Sequence, residues 1–81
     1  MRLETPYAMI FTVMNMLYER IRGLRESHNY TQRKLSELLH VSQATYSRYE
    51  SGALDIPIQA LILLADLYGV SVDYILGRSE S

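Results

Sequence analysis

The spacing of the apolar residues constrains the fold of this chain more than any other feature. In the first third of the sequence, apolar residues return every three or four positions, at Ile10, Val13, Leu17, Ile21 and Leu24. This spacing places them on one face of an α-helix. The alternation of apolar and polar residues that is typical of a half-buried strand does not occur after Leu17. We therefore predict an all-α fold.

Capping residues divide the chain into five predicted helices. Thr31, Ser42 and Ser71 each offer a hydroxyl that can cap the helix that follows. Gly52 and Gly69 follow helices at positions where the left-handed conformation ends a helix. The predicted helices cover about residues 6–27, 32–39, 43–51, 57–68 and 72–76.

The start of the chain allows two interpretations. Pro6 after Thr5, and Pro57 further on, are expected at the first position of a helix. Residues 10–13, however, are β-branched or aromatic and also suit a strand. We therefore predict an N-terminal extension over residues 1–16, either an extended first helix or a short strand. A domain over residues 17–78 and a tail over residues 79–81 follow it.

The composition favours one folded domain that needs neither a disulfide nor a cofactor. The 81 residues suffice for one compact domain, and without cysteine its stability must come from the core. His28 and His40 fall in predicted loops, with no second metal-ligating residue at a suitable spacing. We predict no enzyme activity, no metal or other cofactor and no small-molecule ligand. The apolar stretch over residues 7–14 is too short to span a bilayer, so we expect no membrane contact and a cytoplasmic location.

Charge is distributed unevenly along the chain. Residues 18–52 contain six basic and four acidic residues, a net charge of +2, whereas residues 53–81 contain one basic and four acidic residues, a net charge of −3. Such asymmetry indicates one basic binding face and a second region with another role. Scatter on a near-neutral surface explains this feature equally well.

Two short predicted helices joined by a tight turn form a helix-turn-helix unit. At 100° per residue, Tyr46 and Tyr49 fall on one side of the helix that starts at Gln43, and they can pack on Leu35 and Leu39. The opposite side presents small and hydrogen-bonding residues: Gln43, Ala44, Ser47 and Arg48. Arginine can bind guanine, glutamine can bind adenine, and small residues allow close approach to the major groove. We predict that these four residues read bases.

Arg33 and Lys34 lie in the first turn of the helix that Thr31 caps. The helix dipole disfavours cations there. A DNA phosphate docked at that helix end would reverse the sign of the interaction, and we therefore predict that both residues contact phosphate.

The stretch Thr31 to Gly52, with Ile56-Pro57 and residues 69–77 after it, resembles the XRE family of bacterial and phage repressors, which includes the lambda and 434 repressors and Cro proteins. The resemblance covers about residues 18–78 and implies a compact five-helix, lambda-repressor-like domain whose third helix enters the major groove of double-stranded DNA. It further implies phosphate contacts from Gln32, Ser42 and Ser51.

The resemblance also implies an internal ion pair between Arg25 and Glu50, which we interpret as structural. At the turn position where the family usually has glycine, this chain has His40. Histidine is tolerated at positive φ with some loss of stability.

The predicted fourth helix is apolar nearly all round, although one face would suffice for the core of so small a domain. The surplus predicts a second buried surface, and we assign a homodimer contact to Ile58, Ile62 and Leu63. A dimer can read a palindrome with half-sites about 34 Å apart. The predicted function is therefore a dimeric transcriptional repressor. The alternative is a module that binds a protein partner, as do antitoxins that resemble this family.

Overall fold

The computed structural model describes the backbone of residues 6–78 and the side chains of residues 16–78. Its five helices are α1 (Pro6–Ser27), α2 (Gln32–Leu39), α3 (Gln43–Ser51), α4 (Ile58–Tyr68) and α5 (Val72–Ile75). The part of the chain described here contains no strand, so the all-α prediction is confirmed. Within that part, no helix combines the length and the apolar character needed to cross a membrane.

From Pro6 onward, the N-terminal extension adopts the helical alternative. α1 continues without a break across the boundary that we predicted between residues 16 and 17. Met16 packs on Gly77, just beyond α5, since a Cβ atom built on Gly77 would lie 2.9 Å from the Met16 Cβ. The predicted capping residue Thr5 lies outside the described residues, whereas Pro6 occupies the first helical position.

Two helix ends differ from the prediction. Pro57 is the residue before α4 rather than its first residue, with an extended ψ of 151°. The following helical N–H groups therefore receive no side-chain cap there. α5 ends at Ile75, one residue earlier than predicted, because the Gly77 φ of 78° turns the chain away.

The other capping residues act as the sequence indicates. The hydroxyls of Thr31, Ser42 and Ser71 accept hydrogen bonds from the backbone N–H groups of the third residue after each, at 2.9–3.0 Å. Gly52 ends α3 with φ of 84°, and a Cβ atom there would lie 2.7 Å from the Tyr18 ring. This position therefore requires glycine for both its backbone and its contact with α1.

The core contains one fully buried side chain from each helix: Ile21, Leu35, Tyr46, Leu64 and Ile75. Tyr46 and Tyr49 meet edge to face with ring centroids 6.3 Å apart. The apolar spacing of α2 also predicts Leu38 on its inward face, but this side chain is 40% exposed, so that prediction is wrong. Leu38 lies at the edge of the buried face of α2, where α4 does not close over it.

The most connected buried group is the carboxylate of Glu50, on α3. Arg25 from α1 donates two hydrogen bonds to it, from Nε to Oε2 at 2.6 Å and from Nη2 to Oε1 at 3.1 Å. Gln32 from α2 donates from Nε2 to Oε1 at 3.1 Å, and Tyr46 donates from its hydroxyl to Oε2 at 2.7 Å. Arg25 also donates from Nη1 to the backbone carbonyl of Tyr30. One carboxylate thus joins three helices and the loop before α2.

These contacts determine the charge state of the cluster. Burial by itself would raise the pKa of Glu50, but hydrogen bonds from Arg25, Tyr46 and Gln32 favour the charged form. The net effect lowers the pKa below its ordinary value of 4.5. Burial and the bond to Glu50 raise the pKa of Tyr46, so its hydroxyl remains a neutral donor.

The Glu50 cluster should make the stability of the domain sensitive to acid. Because the native pKa of Glu50 is lowered, its contribution to the free energy of unfolding is complete above the unfolded pKa and is lost as the pH falls through the native pKa. We expect urea unfolding to show a decrease in stability that begins near pH 4.5 and grows at lower pH.

Tyr46→Phe should lower the free energy of unfolding by about 2 kcal/mol at neutral pH, because Glu50 loses one donor. It should also reduce the loss of stability in acid, since the native pKa of Glu50 then lies closer to its ordinary value. Tyr49→Phe is the matched control, because the Tyr49 hydroxyl is not among the donors to Glu50. An acid-dependent loss as large in Tyr46→Phe as in the parent chain would contradict this account.

His40 stores strain at the end of α2. Its φ of 60° and ψ of 42° are left-handed, and its N–H donates to the Glu37 carbonyl at 3.2 Å. Since the side chain is exposed, His40→Gly should remove backbone strain without loss of packing and raise the free energy of unfolding by about 1 kcal/mol. His40→Ala keeps the strain and serves as control in the same urea titration. Equal stability of the two variants would show that the position is unstrained.

Candidate DNA-binding surface

The surface that we predicted to read bases is one side of α3. Gln43, Ala44 and Arg48 are exposed, and Ser47 is half-buried beside them. The other side of the helix is held in the core by Tyr46, which is fully buried. The rotation of α3 about its axis is therefore fixed, and it leaves the amide, the guanidinium and the small residues in solvent. This is the set of groups that can contact base edges in a major groove.

The first turn of α2 carries the residues that we predicted to contact phosphate. Arg33 and Lys34 are exposed, and Arg33 forms a surface ion pair with Glu37 at 3.6 Å. Gln32 is half-buried, and its amide donates to Glu50. One N–H of that amide remains for a second acceptor. The bond to Glu50 thus orients Gln32 at the helix end where backbone N–H groups favour an anion.

Ser42 and Ser51 both use their hydroxyls within the domain. Ser42 caps α3, and its hydroxyl also donates to the Thr45 hydroxyl at 2.9 Å. The Ser51 hydroxyl donates to the Arg48 carbonyl at 3.2 Å and accepts from the Ala53 N–H at 3.3 Å. Phosphate oxygens accept hydrogen bonds, so a phosphate contact from either residue would redirect its O–H group or use a backbone N–H group.

Sequence reasoning missed two members of this region. Tyr46 was assigned to the core alone, although it is also a hydrogen-bond donor to Glu50. The spacing of four residues between them on one helix was the available signal. Arg22 was not singled out, but its Nε lies 3.9 Å from Glu50 Oε1 while its side chain is 57% exposed. It adds positive charge beside Gln32, and its spacing of three residues from Arg25 was the available signal.

The predicted dimer residues do not form one continuous strip. Ile58 and Ile62 lie 40° apart around α4, whereas Leu63 lies a further 100° round the helix. Leu63 instead lines a groove with Leu38 and Leu39 of α2.

Among the described residues, no cluster of histidine, cysteine, aspartate or glutamate could hold a metal ion.

Comparison with known proteins agrees with this geometry. A helix-turn-helix family model matches residues 21–75. The chain is 40% identical over 65 residues to the uncharacterized HTH-type transcriptional regulator YobD of Bacillus subtilis, covering 80% of this chain and 58% of that protein. It is 36% identical over 64 residues to the HTH-type transcriptional regulator ImmR of the same organism, covering 79% of this chain and 50% of that protein.

A third relative is the HTH-type transcriptional regulator AnsR of Bacillus subtilis, 35% identical over 65 residues, which cover 80% of this chain and 56% of that protein. The chain thus spans between half and three fifths of the length of these relatives. No solved structure matches the chain significantly. The family match covers the end of α1, all of α2 to α5 and every buried hydrophobic residue of the core. The chain belongs to the helix-turn-helix family that this model describes, and the three relatives carry the names of transcriptional regulators.

Proposed function

We propose that this protein is a dimeric transcriptional repressor that binds a short palindrome in double-stranded DNA. The observation that carries the proposal is the division of α3 into two sides. Its large aromatic side chains are buried, and its exposed side consists of Gln43, Ala44, Ser47 and Arg48. Such a helix can enter a major groove without a change in the core.

Within this proposal, Arg48 and Gln43 determine base preference. A guanidinium can donate two hydrogen bonds to guanine, and an amide can both donate to and accept from adenine. Gln32, Arg33 and Lys34 position the domain through the phosphate backbone and carry no sequence preference. Ser42 and Ser51 contact the DNA backbone at the two ends of α3.

The strip of Ile58 and Ile62 is the surface that we propose for the homodimer. These side chains are 61% and 47% exposed, and Leu54 in the loop between α3 and α4 is exposed as well. The strip follows the loop that connects α3 to α4. We place the two-fold axis at this strip, so that two copies of α3 can contact one side of the DNA. Two half-sites about 34 Å apart would then be read together. Occupation of such a site blocks transcription without further machinery, which favours repression for a domain of this size.

The experiment that tests this function is binding selection from a random double-stranded DNA library with the full chain at near-physiological salt. We expect enrichment of a two-fold symmetric site. Enrichment of an asymmetric site would contradict the dimer, and a folded protein that enriches no site would contradict sequence-specific recognition.

Arg48→Ala should weaken binding to the selected site by about 1–3 kcal/mol and relax preference at one base position. Gln32→Ala should instead weaken binding to all duplexes about equally, because a phosphate contact carries no sequence information. Arg78→Ala is the matched control, since Arg78 is exposed but lies outside the proposed surface. Fluorescence anisotropy against the selected site and its single-base variants measures both effects. Parent-like binding of both variants would contradict the proposed docking.

Ile62→Lys should shift the protein from dimer to monomer in sedimentation velocity, because it places a charge in the proposed apolar contact. Affinity for the palindrome should fall, while affinity for an isolated half-site stays the same. Leu63→Lys is the control, since Leu63 is 49% exposed on the same helix but faces another direction. A dimer that persists in Ile62→Lys would exclude this strip as the interface.

A further inference from the structure

An apolar groove runs between α2 and α4, apart from the surface that we propose for DNA. It encloses about 310 Å³ and is lined by Leu38 and Leu39 of α2 and by Leu63, Asp66 and Leu67 of α4. Leu38, Leu63 and Leu67 are 40%, 49% and 36% exposed. Four leucines around a single carboxylate thus form a concave surface, of the kind that binds ligands and peptides.

The fold does not need these leucines to be exposed. The core between the two helices is completed by Leu35, Leu61 and Leu64, which are buried. Burial of apolar surface contributes about 25 cal/mol of favourable free energy per Å². A partner that buries these leucines would therefore bind favourably, and the domain would not need to rearrange.

The size of the groove indicates what covers it. A stable protein dimer usually buries about 800 Å² on each partner. Three partly exposed leucines between two short helices offer much less than that. A groove of this width instead suits the apolar face of one helix, with anchors at spacings of three, four and seven residues.

The charge of the groove indicates the chemistry of that helix. The Asp66 carboxylate forms no ion pair with any residue that the structure describes. Residues 53–78 contain three aspartates, Asp55, Asp66 and Asp73, against one basic residue, Arg78. A second copy docked groove to groove would bring two Asp66 carboxylates together. A helix with a lysine or arginine beside its apolar stripe would complement it.

We propose that the groove between α2 and α4 is a docking site for an amphipathic helix of another protein, with leucine-like anchors in the groove and a cation against Asp66. The site does not overlap the proposed phosphate contacts. Leu38 and Leu39 end α2, and Gln32 begins it about 10 Å away along the helix axis. The partner helix and DNA can therefore be bound at the same time.

The probe is a capped synthetic peptide of about 18 residues, long enough to be helical, with leucines spaced three, four and seven apart, lysines beside them, and alanine and glutamine elsewhere. Titration of the full chain, followed by methyl NMR, should shift the signals of Leu38, Leu63 and Leu67. Leu63→Lys should weaken peptide binding at least tenfold, and circular dichroism checks that this variant remains helical. Gly23→Lys is the matched control with unchanged affinity, because Gly23 is exposed on α1 and a Cβ atom there meets nothing within 4 Å.

Asp66→Asn tests the charge. It should weaken binding of the lysine peptide several-fold and leave unchanged the binding of a peptide in which glutamine replaces lysine. Equal binding of the peptide to Leu63→Lys and Gly23→Lys, or no shift at millimolar peptide, would overturn the proposal. Dissociation of a dimer by Leu63→Lys but not by Ile62→Lys would also overturn it, since a second copy would then occupy the groove.

Discussion

The fold depends on one buried ionic group, the carboxylate of Glu50. It receives hydrogen bonds from Arg25 of α1, Gln32 of α2 and Tyr46 of its own helix. An unpaired carboxylate in this position would cost several kcal/mol, so the three helices are stable only in the arrangement that brings all these donors together. The cluster thereby specifies how α2 and α3 sit on α1, which hydrophobic packing alone would leave less well defined.

The proposed recognition surface follows from that arrangement. Tyr46 fills the centre of the core and also donates to Glu50, so α3 cannot rotate about its axis without loss of both interactions. Its outward side consequently carries Gln43 and Arg48. Gln32 takes part in both the buried cluster and the proposed DNA contact. One N–H of its amide donates to Glu50, and the other remains for an acceptor outside the domain. Variants of Arg25, Tyr46 or Glu50 would therefore weaken the proposed DNA binding through loss of structure, without any direct contact to DNA.

α4 presents two apolar surfaces with different surroundings. Ile58 and Ile62 continue from the loop that follows α3, whereas Leu63 and Leu67 face α2 across a groove with Asp66 at its edge. The first surface is next to the end of the proposed recognition helix and suits a symmetric contact between copies. The second is acidic and narrow, which suits one basic amphipathic helix. Under these proposals, DNA, a second copy and a partner helix would each bind a separate surface of the domain.

The sequence by itself determined the helices and their ends, because caps depend on residues within four positions of each other. Thr31, Ser42 and Gly52 identify α2 and α3 almost to the residue, and the tyrosine spacing correctly predicts which side of α3 is buried. Only the tertiary structure decided which leucines of an apolar helix stay exposed. Leu38 and Leu63 meet across 25 positions of sequence, and their exposure depends on the angle between helices that local patterns do not encode.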